Sequence, residues 1–192
     1  MRTSHRAFLS GVVLSALLGA ASAAAEDKYQ ETVDIFKNAG DSAAFFDSAY
    51  GYAVFPTIGK GGIGIGGARG SGQVYEQGKL IGKTTMTQLT VGFQLGGQAY
   101  SQIIFFEDDR ALKEFTSGNF EFGAQATAVA ITASASATAT TTGASAGAAG
   151  GKKDATTAGS SYYKGMAIFT VAKGGLMYEA SLGGQKFSYA PL

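Results

Sequence analysis

Ala49-Tyr50-Gly51-Tyr52-Ala53-Val54-Phe55-Pro56-Thr57-Ile58-Gly59-Lys60-Gly61-Gly62-Ile63-Gly64-Ile65-Gly66-Gly67-Ala68-Arg69-Gly70-Ser71-Gly72-Gln73-Val74-Tyr75 sets glycine into alternating, strand-like sequence. Glycine inside a strand costs stability, so its density here implies that backbones approach one another, or a ligand, closely. After Phe55-Pro56 the text has period two: Ile63, Ile65, Val74 and Tyr75 lead into the turn Glu76-Gln77-Gly78-Lys79, then Leu80 and Ile81, which predicts a hairpin. A second strand pair follows, with Leu89, Val91, Phe93 and Leu95 alternating with Thr90, Gly92 and Gln94, a break at Gly96-Gly97, and a strand over Ser101 to Phe106.

Working outward, Glu107-Asp108-Asp109 opens a short capped helix over Arg110 to Phe115. Upstream, Tyr29, Val33 and Phe36 fall at helical spacing. Gly40 is expected to stop that helix and Asp41 or Ser42 to cap a second one through Ser48. From Ala124 to Gly151 the chain is Ala, Thr, Ser and Gly apart from a few larger residues; residues 124 to about 140 are expected as strand and 141–160 as a mobile loop. Tyr162 to Val171 and Leu176 to Leu182 are the last predicted strands, and Gln185 to Tyr189 closes the chain. Leu95-Gly96-Gly97-Gln98 recurs as Leu182-Gly183-Gly184-Gln185, and Lys60-Gly61-Gly62 as Lys173-Gly174-Gly175. Glycine pairs in strands mark bulges and bends. The expected fold is α+β: a strongly curved, nearly closed antiparallel sheet with short N-terminal helices and one internal helix.

Arg2, His5 and Arg6 precede an apolar run from Ala7 to Ala20 and the small residues Ala21 to Ala25, the pattern of a secretory signal peptide over residues 1–25 cleaved near Ala23 or Ala25. The run is shorter than the ~20 residues of a membrane-spanning helix. Residues 26–50 then form a helical segment and 51–192 a β-rich region, together one globular unit. The expected location is periplasmic or secreted. With Cys 0, the chain has no lipidated cysteine, disulfide or thiolate site, and its single histidine is His5 in the leader. Without Arg2 and Arg6, Lys+Arg 15 becomes 13 against Asp+Glu 14, a net charge of −1, which gives no reason to expect nucleic acid. The charge is uneven: residues 26–50 hold six acids and two lysines, whereas 51–192 hold eleven bases and eight acids.

Catalytic chemistry finds no footing. Gly62-Ile63-Gly64-Ile65-Gly66-Gly67 has dinucleotide-fingerprint spacing but continues as alternation instead of opening a helix. Glu107, Asp108 and Asp109 read as a helix cap, and no serine has a histidine partner. No enzyme activity, metal or cofactor is expected. Lys60 with Gly61 and Gly62, and Lys173 with Gly174 and Gly175, pair an ammonium with exposed backbone N–H groups and suit an anionic head group, all the more if both lie at one sheet end near Arg69, Lys79 or Lys83.

Ala49-Tyr50-Gly51-Tyr52-Ala53-Val54-Phe55-Pro56, Gly59-Lys60-Gly61-Gly62, Gly66-Gly67, Gly70-Ser71-Gly72, Phe93-Gln94-Leu95-Gly96-Gly97-Gln98, Gly123-Ala124-Gln125-Ala126, Tyr163-Lys164-Gly165 and Lys173-Gly174-Gly175-Leu176 resemble the successive blocks of the lipid-binding SYLF-domain family, over about Phe45 to Tyr189. The resemblance implies a non-enzymatic domain that binds phospholipid or a membrane surface. It also brings actin as a partner of the eukaryotic members, which an exported chain is not expected to meet. Two further readings remain: a structural or protein-interaction module with an envelope partner, and a small outer-membrane barrel. The barrel is opposed by the acidic helical lead and the internal helix.

Overall fold

The computed structural model describes residues 26–92, 98–123, 129–131, 162–173 and 183–192. The leader, most of the Ala/Thr/Ser stretch, Gly174, Gly175 and the strand expected over Leu176 to Leu182 lie outside the described residues.

The strand-like glycine segment is one continuous element, β1 (Gly51–Glu76), followed by β2 (Lys79–Gly92) and β3 (Gln98–Phe106). Twenty-six extended residues would hold their ends roughly 85 Å apart. Yet the Gln77 N–H donates to Tyr50 O at 3.0 Å, and the Tyr52 and Tyr75 rings stack with centroids 4.8 Å apart. β1 therefore doubles back on itself. Its first arm, 51–60, pairs with β3, and its second, 64–76, pairs with β2. The reversal falls in the Gly-rich middle, where Gly62 has φ 147°, a conformation L side chains rarely adopt. Close approach also explains glycine in the arms: a Cβ on Gly70 would lie 2.5 Å from Ile58 Cγ1, and one on Gly72 2.6 Å from the Phe55 ring. Pro56, which has no N–H for a ladder, sits where the β1–β3 register shifts between Phe55 and Ile58.

The hairpin turn is as expected: Gln77 (φ 48°) and Gly78 (φ 80°) both take positive φ, the type I′ pattern whose twist suits two strands. β2 is a single 14-residue strand, so Leu80 and Leu89 belong to one element and not to two strand pairs. α3 (Asp109–Thr116) is capped as read, with Asp108 accepting from the Ala111 N–H at 2.8 Å, and it buries Ala111, Leu112 and Phe115. Then come β4 (Phe120–Glu121), β5 (Val129–Ile131), β6 (Met166–Lys173) and β7 (Lys186–Pro191). The sheet order is β4-β7-β2-β1-β3-β6-β5. All pairings are antiparallel except β5–β6, which is parallel.

The sheet curls into a half-barrel with two apolar faces. Phe55, Ile104, Phe106, Leu112, Phe115, Phe122 and Phe187 fill the concave side. The outer face is covered by α1 (26–37) and α2 (Gly40–Ser48), whose Val33, Phe36 and Phe45 pack on Val54, Ile103, Phe105 and Phe169. The helix junction differs from expectation. Gly40 begins α2 instead of stopping α1, the N-cap is Ala39 with no side-chain cap, and Ser42 Oγ donates back to Phe36 O at 2.6 Å. That bond ties the two helices at their bend, which outweighs local capping.

Candidate anion- and lipid-facing end of the sheet

The strand register brings the candidate cations together. At the sheet end away from α3, Lys60 pairs with Gln98 on β3, and the next β3 residue, Ala99, pairs with Lys173 on β6. Their Cα positions flank the start of one strand, about 10 Å apart across two strand spacings, with the side chains leaving opposite faces of the sheet because Gln98 and Ala99 alternate. Lys173 is exposed and its Nζ donates to Thr57 Oγ1 at 3.3 Å, reaching over β3 to the first arm of β1. Arg69, also exposed, lies on the second arm beside Gly70, whose Cβ position abuts Ile58. Among the described residues every ion pair lies elsewhere: Arg110–Asp108, Arg110–Glu114, Lys113–Asp109 and Lys186–Glu121. Lys60, Arg69 and Lys173 thus keep their charge uncompensated by a carboxylate among those residues.

Gly61 has open space where a Cβ would stand, with nothing within 4 Å, so internal packing does not require glycine there. Gly62 is required by its backbone conformation. Lys79 and Lys83 do not join the site: Lys79 borders the β1–β2 turn and Lys83 pairs with Gln73 and Ala190, toward the other end.

The lining of this end inverts the usual pattern. On the concave side lie Gln88, Tyr100, Gln102, Thr170 and Gln185, all buried. Gln102 Nε2 donates to Gln185 Oε1 at 3.1 Å, Gln185 Nε2 donates to Gln102 Oε1 at 3.3 Å and to Tyr100 OH at 3.1 Å, and Gln88 Nε2 donates to Gly183 O at 2.9 Å. Burial pushes the Tyr100 phenol well above its ordinary pKa, partly offset by the Gln185 bond. Thr170, opposite Gln102 in the register, is fully buried and its hydroxyl has no hydrogen-bond partner among the described residues. On the outside, Leu89 is 85% exposed. The alternation expected Leu89 in the apolar series of its strand. In the fold, Met86 and Gln88 face inward and Thr87 and Leu89 outward. The signal that could have found this was glycine at position 67, directly opposite Leu89.

Chemically, the end combines three cations with a protruding apolar side chain. Among the described residues no group of three or more His, Cys, Asp or Glu could hold a metal ion, and no helix is long and apolar enough to cross a membrane.

The sequence model of the Ysc84 family, described as "Las17-binding protein actin regulator", matches residues 87–190. Beta cell expansion factor A of Aeromonas veronii is 27% identical over 157 residues, covering 81% of this chain and 51% of that protein. The chain thus spans about half the length of the curated relative it matches. No solved structure matches it. With a match over more than half of its length, this chain belongs to the Ysc84 family, the SYLF-domain family.

Proposed function

We propose that this chain is an exported, non-enzymatic envelope module that binds phospholipid or a related amphiphile through the sheet end bearing Lys60, Arg69 and Lys173. The observation that carries this reading is the meeting of three cations from β1 and β6 at one end, with no carboxylate in ion-pair distance among the described residues. Phosphate groups suit such a site because flexible ammonium and guanidinium groups make charge-assisted hydrogen bonds to them. The leader pattern supports a periplasmic or secreted location, and actin is accordingly not proposed as a partner. The test is cosedimentation with vesicles of phosphatidylglycerol and, separately, phosphatidylcholine. Binding that is stronger on phosphatidylglycerol and weakens with salt supports the reading; absence of binding to both overturns it.

A second reading, a protein-interaction module, is favoured by the family description, which names binding to another protein. Pull-down from envelope extract with lipid-free chain separates the two.

A further inference from the structure

We infer that the tip formed by β1 and β2 beyond Arg69 enters the lipid surface, with Leu89 as its hydrophobic anchor and Arg69, Lys60 and Lys173 held at phosphate level. This rests on the phospholipid reading above and adds which residue penetrates and in what orientation.

Three observations carry it. First, Leu89 protrudes with no described side chain beside it in the ladder. Its partner on β1 is Gly67, which has no side chain, and on the other side the β2–β7 ladder ends at Thr87–Lys186 before reaching Leu89. Second, Gln88, Gln102 and Gln185 are sealed inside this end while Leu89, next to Gln88 on β2, faces out on the same face as Thr87 and Arg69. Third, charge complements it. Arg69 pairs with Thr87, two residues or about 7 Å along the ribbon from the Gly67–Leu89 pair. An interfacial element buries its apolar side about 5–10 Å below the head groups, so this spacing leaves Arg69 level with phosphate when Leu89 lies among acyl chains. The occupant is therefore an anionic lipid surface, not a second copy of the chain, which would bring the same cations face to face.

The chain contains Trp 0, so L89W creates a sole fluorophore at the anchor. Mixed with vesicles of phosphatidylglycerol and phosphatidylcholine, L89W should shift its emission to the blue and be quenched by lipids brominated in the acyl chain. L89S should bind the same vesicles about tenfold more weakly while keeping the wild-type thermal unfolding curve. Wild-type cosedimentation, with L89S binding equally well or L89W unquenched, would overturn the anchor and leave the lipid reading standing. No cosedimentation of wild type would overturn both. A blue shift of L89W without vesicles that grows with protein concentration would reassign Leu89 to self-association and overturn the inference.

Discussion

Gln102 and Gln185, 83 residues apart, exchange two side-chain hydrogen bonds of 3.1 and 3.3 Å across the concave face, with both residues fully buried. The pair ties β3 to the entry of β7, elements separated in the sheet by β1 and β2, and so pins the curl.

Truncating one member leaves the other amide buried and unsatisfied. Q185A should destabilise the chain by about 1–3 kcal/mol, and Q102L combined with Q185L should cost less than the sum of the single changes. Urea denaturation of the four species of the double-mutant cycle checks this. An additive result would mean that the amides do not cooperate.

Glycines in the β1 arms divide by environment. G70A places a methyl 2.5 Å from Ile58 Cγ1 and 3.0 Å from Thr57 O, and should cost about 1–3 kcal/mol. G61A meets open space and should stay within about 0.5 kcal/mol of wild type. Equal destabilisation by the two would contradict the doubled-back strand.

At the start of α3, Asp108 holds the Ala111 N–H at 2.8 Å. D108A should lower stability by about 1 kcal/mol, and D108N or D108S should recover most of it. Thermal unfolding followed by far-UV circular dichroism measures both.

Burial, and then the neighbouring Tyr75, push the Tyr52 phenol up to about 12. The fold therefore favours the protonated form. This contribution is complete below the unfolded value of about 10 and is lost as pH rises from there through about 12. Urea midpoints should hold between about pH 7 and 9 and fall above about pH 10, and Y52F should shallow that fall.

Neutralising the cations should spare the fold and weaken binding. At about 1 kcal/mol per basic residue near an anionic surface, K60Q/R69Q/K173Q should bind phosphatidylglycerol vesicles on the order of 100-fold more weakly, with a flatter salt dependence. Cosedimentation across a salt series measures it. K79Q and K83Q, toward the other end of the sheet, should have little effect.

Elements with local causes were legible in the chain. The Gln77-Gly78 turn, the Asp108 cap, the strand over Ser101 to Phe106 and the choice of Lys60, Arg69 and Lys173 as candidates all rest on residues within a few positions of one another. The ordered glycine blocks carried the family for the same reason. Capping at Asp41 or Ser42 misled because the Ser42 hydroxyl is spent on the Phe36 carbonyl, a tertiary choice made at the helix bend.

Packing between distant segments settles that β1 folds back on itself, that the interior at one end is polar while Leu89 faces out, and that the three cations share that end. Period two states that two faces exist but not which one is inside; the register between distant strands settles that. Lys173 reaches Thr57 across 116 positions of chain, a meeting set by the β1–β3–β6 register and by nothing within either segment.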